Sequence, residues 1–371
     1  MLVSSRVTFI GILLATTLVS VLFLSSNTWR FGHGAFSLIS PPIKPGLCSS
    51  LERNLMPTLS IASCIYVINL PKSTHRRADM EQLRYTLGLD FTYVTGTEGD
   101  EDIVQRIMRH VTAFRVLEDF RETNFSLSNA FEWPQDVDAL VESESPLDRK
   151  GSDLWFSDGI DLPDPSSHEP LTCASDNFTL EHYSPQTPPY RILTKARLAC
   201  WYSHWRVIRL IADGRDDVSL VLEDDVDMEL DIRQRLLGVW DSLPSVWDIV
   251  FLGSHCWSEE SKRPAIAAYN SSISAMTVSV TFLHPSTSPK CTHAYALSRR
   301  GARRLAVYLR HPPFAYSRAI DQAISWLVES GKLTAYSIVP SIVVQRKVDD
   351  SGISDGRGSS WRDNLTRGVF A

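Results

Sequence analysis

The feature that most constrains this chain is an apolar run that breaks straight into acid: Val218-Ser219-Leu220-Val221-Leu222, then Glu223-Asp224-Asp225. A short apolar stretch of this kind reads as a strand. Similar runs recur along the chain. Ser63–Leu70 (SCIYVINL) predicts a buried strand ending in a turn at Pro71, and WDIVFLG (247–253) predicts another.

Stretches with helical spacing separate the strands. Arg76–Leu89 carries Met80, Leu83, Leu87 and Leu89 among charges, with Gly88 as its stop. FTYVTGTEG (91–99) then reads as a second strand with a Gly-rich exit. Strand, helix, strand at this spacing is how a nucleotide-binding α/β sheet opens. From Ala196, helical spacing runs through Leu198, Trp201, Trp205, Ile208 and Ile211 to Gly214. THAYALSRRGARRLAVYL predicts a short strand and a helix, Ala319–Val328 a further helix, and LTAYSIVPSIVVQ strand-rich sequence. The stretch from about 113 to 190 is acidic, rich in Pro and Ser and poor in periodicity, so it reads as an insertion or long surface loop.

The amino terminus has a different character. Val7–Leu24 is 18 residues without a charge, between Arg6 and Arg30. At 1.5 Å rise per residue that just spans a hydrocarbon core of roughly 30 Å. A transmembrane signal anchor is the favoured reading, with a cleaved signal peptide ending near Gly32-His33-Gly34 as its rival. The predicted organisation is a tail (1–6), the anchor (7–24), a Ser/Pro/Gly-rich stem (25–60) and a globular body (61–371) carrying the 113–190 insertion. Four glycosylation sequons, at Asn124, Asn177, Asn270 and Asn364, fit a lumenal body. Six cysteines could pair there in any of roughly 15 ways, and nothing in their spacing resembles a zinc site. A net charge of −6 argues against a nucleic-acid partner.

Glu223-Asp224-Asp225 closes a strand, where open α/β sheets bind ligands. Clustered carboxylates there suit Mg2+ or Mn2+ and a diphosphate; a solvated acidic turn is the bland alternative. Four blocks stand in order along the chain: YVINLPKSTHRRADM, CWYSHWRVI, LVLEDDV, and the run through WDIVFLG, THAYALSRRGARRL and AIDQAI. Together they resemble glycosyltransferase family 25, the lipopolysaccharide sugar transferases and procollagen galactosyltransferases. The chain departs from the family at Ala196-Arg197-Leu198-Ala199, where Gly-Glu-Ile-Gly is usual, and at Pro71-Lys72-Ser73.

The resemblance implies an α/β, GT-A type nucleotide-sugar-binding fold: a mixed, mostly parallel sheet flanked by helices, behind the N-terminal transmembrane helix. It implies inverting, metal-dependent transfer of a hexose, with galactose favoured, from a UDP-sugar to a glycan or glycoprotein acceptor at the Golgi or ER membrane. Asn69, Leu70, Arg76, Ser203, His204, Glu223 and Asp224 would bind the donor. Asp225, with Glu223, would hold Mn2+ or Mg2+, and a purely structural role is the alternative for Asp224. Asp321 is the nominated catalytic base, a first-turn helix acid its alternative. His293 could reach the metal or merely end a strand. Gln345 and Ser354-Asp355 resemble the family's closing segment. A catalytically inactive lumenal carbohydrate- or partner-binding protein of the same fold is the alternative function, and a nucleotide-sugar hydrolase a third.

Overall fold

A computed structural model describes residues 56–117, 133, 136–143, 147, 169–175, 180–253, 262–274, 277–311, 314–346 and 365–370. The predicted anchor and most of the stem lie outside the described residues, as do Asn124, Asn177, Asn364, Cys48, Cys256 and Ser354-Asp355. No helix among the described residues is long and apolar enough to cross a membrane.

The body opens with strand β1 (Cys64–Asn69), helix α1 (Thr74–Leu87) and strand β2 (Thr92–Thr95). Every residue of β1 is buried, as an unbroken apolar run requires. Helix α1 buries Met80 and Leu83 and stops at Gly88, whose φ of 62° lies in the left-handed region that glycine enters without a Cβ penalty. Helices α2 (Asp102–Leu117), α3 (Val137–Glu142) and α4 (Lys195–Asp213) follow. Thr194 caps α4 by accepting from the Arg197 N–H at 3.3 Å. The predicted stripe Leu198, Trp201, Trp205, Ile208 and Ile211 is buried throughout.

Next come β3 (Val218–Glu223), β4 (Val226–Met228), α5 (Ile232–Trp240), β5 (Ile249–Phe251), the hairpin β6 (Ala267–Ser274) and β7 (Thr277–Pro285), and β8 (Ala294–Ser298). Helices α6 (Arg299–Leu309) and α7 (Ile320–Glu329) and strands β9 (Ala335–Val339) and β10 (Val343–Gln345) complete the described elements. The large sheet has the order β2-β1-β3-β8-β5-β9-β7-β6. Its core draws Ile65 and Val67 of β1, Leu220 and Leu222 of β3 and Leu236 of α5 into one cluster. Burying a side chain of that kind stabilises by about 1.5–3 kcal/mol.

One expectation needs correction. The sheet is mixed but not mostly parallel: β1·β2, β1·β3 and β5·β9 are parallel, whereas β3·β8, β5·β8, β7·β9 and β6·β7 are antiparallel. Apolar runs report that strands are buried but not which way their neighbours run. The 113–190 insertion is described only in part. Its first residues belong to α2, which buries Val104, Ile107 and Val111 at helical spacing.

Further on, α3 docks on α6 through its backbone. Arg303 donates from Nε to the Val141 carbonyl at 3.0 Å and from Nη2 to the Leu140 carbonyl at 2.6 Å. Arg300 and Arg304 reach Glu142 and Asp138, each at 2.8 Å. Trp133 stacks on His311 and Trp326, at 5.2 and 5.9 Å between centroids. The returning limb is tied by the Ala174 N–H to the Ser317 carbonyl at 2.9 Å, just before α7. Arg197, one of the departures from the family pattern, is buried and donates to the Pro189 carbonyl at 3.2 Å and to the Ile192 carbonyl.

Asn270 is exposed on β6, the outer strand of the sheet. Cys64 is disulfide-bonded, whereas Cys173 and Cys200 are free thiols. A disulfide fits an oxidising compartment.

Candidate active site

The acidic triplet straddles a strand end and a turn. Glu223 is the last residue of β3, and Asp224 and Asp225 lead into β4. Strand β10 pairs with β4, setting Gln345 opposite Val226 and beside the turn. Parallel pairing of β1 with β3 brings Asn69 alongside, and Arg76 approaches from the first turn of α1.

The three acids have different surroundings. Asp224 is buried and accepts from Asn69 Nδ2 at 2.7 Å and from Arg76 Nη1 at 3.2 Å. Asp225 Oδ2 accepts from Arg76 Nη1 at 3.2 Å and from Gln345 Nε2 at 3.0 Å, while its Oδ1 is buried with no partner among the described residues. Burial, then the neighbouring Glu223 charge, push the Asp225 carboxyl up to about 7 against the pull of Arg76 and Gln345.

Glu223 goes the other way. Burial opposes its charge, but the hydrogen bond and electrostatic pull of His204, with His293 and the Thr292 hydrogen bond, outweigh that and hold its carboxyl below the usual range. Its Oε1 lies 3.2 Å from His204 Nε2 and accepts from Thr292 Oγ1 at 3.1 Å. His204 is 1% exposed, and its Nδ1 lies 3.0 Å from the Tyr295 hydroxyl.

Other predicted residues lie around this centre. Ser203 is buried and fully used within the fold, donating to the Ala199 carbonyl and accepting from the Thr97 N–H, both at 2.8 Å. Leu70 is half-buried at the exit of β1. His293 Nε2 lies 3.2 Å from the Val343 carbonyl of β10. Gly253 makes that approach feasible, since a Cβ there would stand 2.0 Å from the same carbonyl oxygen. Asp321 sits in the first turn of α7, where the alternative reading put it. Burial raises its carboxyl against backbone N–H bonds from Gln322 and Cys291 and the Lys290 charge, and Glu223 raises it further.

Sequence reasoning missed Thr292, Tyr295 and Cys200 as parts of the site. Thr292 and Tyr295 sat inside the quoted THAYALS block without a signal of their own. The reading that no zinc-like grouping exists also changes in three dimensions: donor atoms of Cys200, His204 and Glu223 lie within 4.8 Å of one another. Cys200 and His204 are one turn apart on α4, and the third donor comes from another element, which spacing cannot reveal. Chemically, the strand end offers hard carboxylate oxygens with a guanidinium beside them, a combination suited to a divalent cation and a phosphorylated ligand.

Residues 147–323 match the family model described as glycosyltransferase family 25 (LPS biosynthesis protein). That stretch of the chain is similar to a glycosyltransferase family 25 domain. The matched stretch contains Ser203, His204, the acidic triplet and Asp321, while Asn69, Arg76 and Gln345 lie outside it. Procollagen galactosyltransferase 1-B of Xenopus laevis is 26% identical over 204 residues, covering 48% of this chain and 30% of that protein. Procollagen galactosyltransferase 1 of Danio rerio is 26% identical over 195 residues, 47% of this chain and 30% of that protein. A glycosyltransferase 25 family member of Aedes aegypti is 24% identical over 198 residues, 48% of this chain and 30% of that protein. The similarity thus spans under a third of these relatives' length.

Proposed function

We propose that the chain is a family 25 glycosyltransferase of GT-A type that moves a hexose, galactose the favoured one, from a UDP-sugar to a glycan or glycoprotein acceptor with inversion. The observation that carries this reading is the acidic turn at the carboxyl end of β3, where Asp225 keeps a buried carboxylate oxygen without a hydrogen-bond partner among the described residues. An orphaned carboxylate oxygen in a hard-donor setting fits Mn2+ or Mg2+. Asp225 and Glu223 would hold the ion, and it would supply positive charge to the leaving diphosphate. Asp224, engaged by Asn69 and Arg76, holds the turn in place. Arg76 supplies a guanidinium next to the acids, and Asn69 and Leu70 edge the nucleotide side.

Inverting transfer needs a base for the acceptor hydroxyl. Asp321 takes that role in this reading, because burial raises its carboxyl toward the proton affinity a base needs. Ser203 and His204 act from behind, the first bracing the loop at Thr97 and the second orienting Glu223. The same reading places the enzyme in the secretory pathway as a single-pass type II Golgi or ER membrane protein anchored by residues 7–24, with glycans on Asn124, Asn177, Asn270 and Asn364. The disulfide at Cys64 and the exposed Asn270 support a lumenal body.

The test is UDP release by the purified body from a panel of UDP-sugars, with Mn2+ and with EDTA. Turnover should require the cation and fall by on the order of 100-fold or more in Asp225→Ala. Metal-independent turnover, or an unaffected variant, would remove the acidic turn from the chemistry. Absence of donor binding would favour the non-catalytic reading. Normal turnover in Asp321→Asn would exclude that residue as the base.

A further inference from the structure

The acidic turn is not the only place where metal-ligating groups converge. Helix α4 sets Cys200 and His204 one turn apart, so both project from one face. The end of β3 delivers Glu223 to that face, and the thiol, imidazole and carboxylate donor atoms lie within 4.8 Å of one another. Asp225, two residues on, is engaged elsewhere, with Arg76 and Gln345. The two groupings therefore share Glu223 but differ in chemistry. One offers only carboxylate oxygens; the other adds sulfur and nitrogen.

We propose that Cys200, His204 and Glu223 form a Zn2+ site behind the acidic turn. Three protein donors of S, N and O type, with a fourth position left to water, make the donor set of an open zinc site. A thiolate favours zinc over Mg2+ or Mn2+, which prefer oxygen. The outer partner is also in place. Tyr295 OH lies 3.0 Å from His204 Nδ1, so that nitrogen can donate to the phenol oxygen while Nε2 binds metal. Loading the site displaces the thiol proton to solvent, the His204 proton moves from Nε2 to Nδ1 as the neutral ring changes tautomer, and the His204–Glu223 hydrogen bond gives way to two metal bonds.

Zinc binding does not depend on the transferase reading. One consequence does: zinc would draw Glu223 away from the acidic pair and so inhibit Mn2+-dependent turnover. Binding is therefore measured apart from activity, on chelator-stripped protein loaded with one equivalent of Co2+ or Zn2+. The Co2+ form should show a sulfur-to-cobalt charge-transfer band that Zn2+ bleaches. The band should persist in Cys173→Ser and Cys291→Ser and vanish in Cys200→Ser or Cys200→Ala, with near-UV circular dichroism confirming the fold. Zn2+ affinity should drop by at least about 100-fold in the Cys200 variants, since losing a ligand costs more than losing an outer partner. Zinc-edge X-ray absorption on unaltered protein should show one sulfur near about 2.3 Å. No sulfur in the zinc shell, or a cobalt band that survives loss of Cys200, would overturn the site. Zinc binding without inhibition of UDP release would leave the site intact and overturn only its regulatory consequence.

Discussion

Asn69 Nδ2 donates to Asp224 Oδ2 at 2.7 Å, joining residues 155 apart in the chain. The bond ties the exit of β1 to the acidic turn after β3, and both partners are buried. Asn69→Ala leaves Asp224 with Arg76 as its remaining side-chain partner among the bonds described above. The expected cost is about 1–3 kcal/mol, that of stranding one face of a buried carboxylate. Urea unfolding of the metal-free body checks this; an unchanged midpoint would mean the bond contributes nothing to the turn.

The Asp225 carboxyl gives a pH signature in the absence of metal. It is raised to about 7 in the folded protein and returns to the ordinary aspartate value near about 4 on unfolding. The folded state then binds more protons in that window, so this group's contribution to stability falls as pH rises from about 4 to about 7. In EDTA, the stability of Asp225→Asn relative to wild type should rise across the window and level off above it. Mn2+ affinity should run the opposite way, increasing with pH, because the cation competes with the proton. A stability difference flat with pH would contradict a raised carboxyl.

Gly301 lies in the first turn of α6, where its N–H donates to the capping Ser298 hydroxyl at 2.9 Å. A Cβ at this position would meet the Asp248 carbonyl oxygen at 2.0 Å. The obstacle is backbone, so α6 or the entry to β5 must shift. Gly301→Ala should destabilise by about 1–3 kcal/mol, the usual range for overpacking. Thermal unfolding would show the loss, and wild-type stability would mean that the two elements can separate freely.

Arg303 is 2% exposed and serves the carbonyls of Leu140, Val141 and Ala212. Its guanidinium is the main polar clasp between α3 and α6. Arg303→Ala should cost at least about 2 kcal/mol, given the strength of hydrogen bonds to charged donors. It should also open new protease cleavage between residues 133 and 147. Arg303→Lys should restore little, because an ammonium cannot reproduce the planar fork. Unchanged proteolysis in the alanine variant would show that Trp133 and the other contacts hold α3 unaided.

Much of the fold was legible locally. The stripe from Leu198 to Ile211, the stop at Gly88 and the apolar runs of β1, β3 and β5 each follow from periodicity and glycine chemistry. Helix α2 should have been legible too, since Val104, Ile107 and Val111 repeat at helical spacing; the acidic sequence beyond it drew attention to an insertion instead. The hairpin β6–β7 was missed because AAYNSSIS is polar for a strand, as suits the outer edge of a sheet. Docking of α3 on α6 could not be read at all. It depends on arginines more than 150 residues away that bind backbone carbonyls, which carry no sequence signal.

For the site, the sequence by itself determined that three acids would stand at the end of a buried strand, with a Ser-His helix preceding them. It also carried the family resemblance. Only the tertiary structure decided how the acids differ: Asp224 spent on Asn69 and Arg76, Asp225 with an oxygen that has no partner among the described residues, Glu223 bound to His204 and Thr292 and close to the Cys200 thiol. The reason is physical. Periodicity reports which face of an element is apolar, and that is local information. A carboxylate's proton affinity and freedom to bind a cation depend on burial and on donors from β1, α1, α4 and β10, which pairing and packing alone bring together.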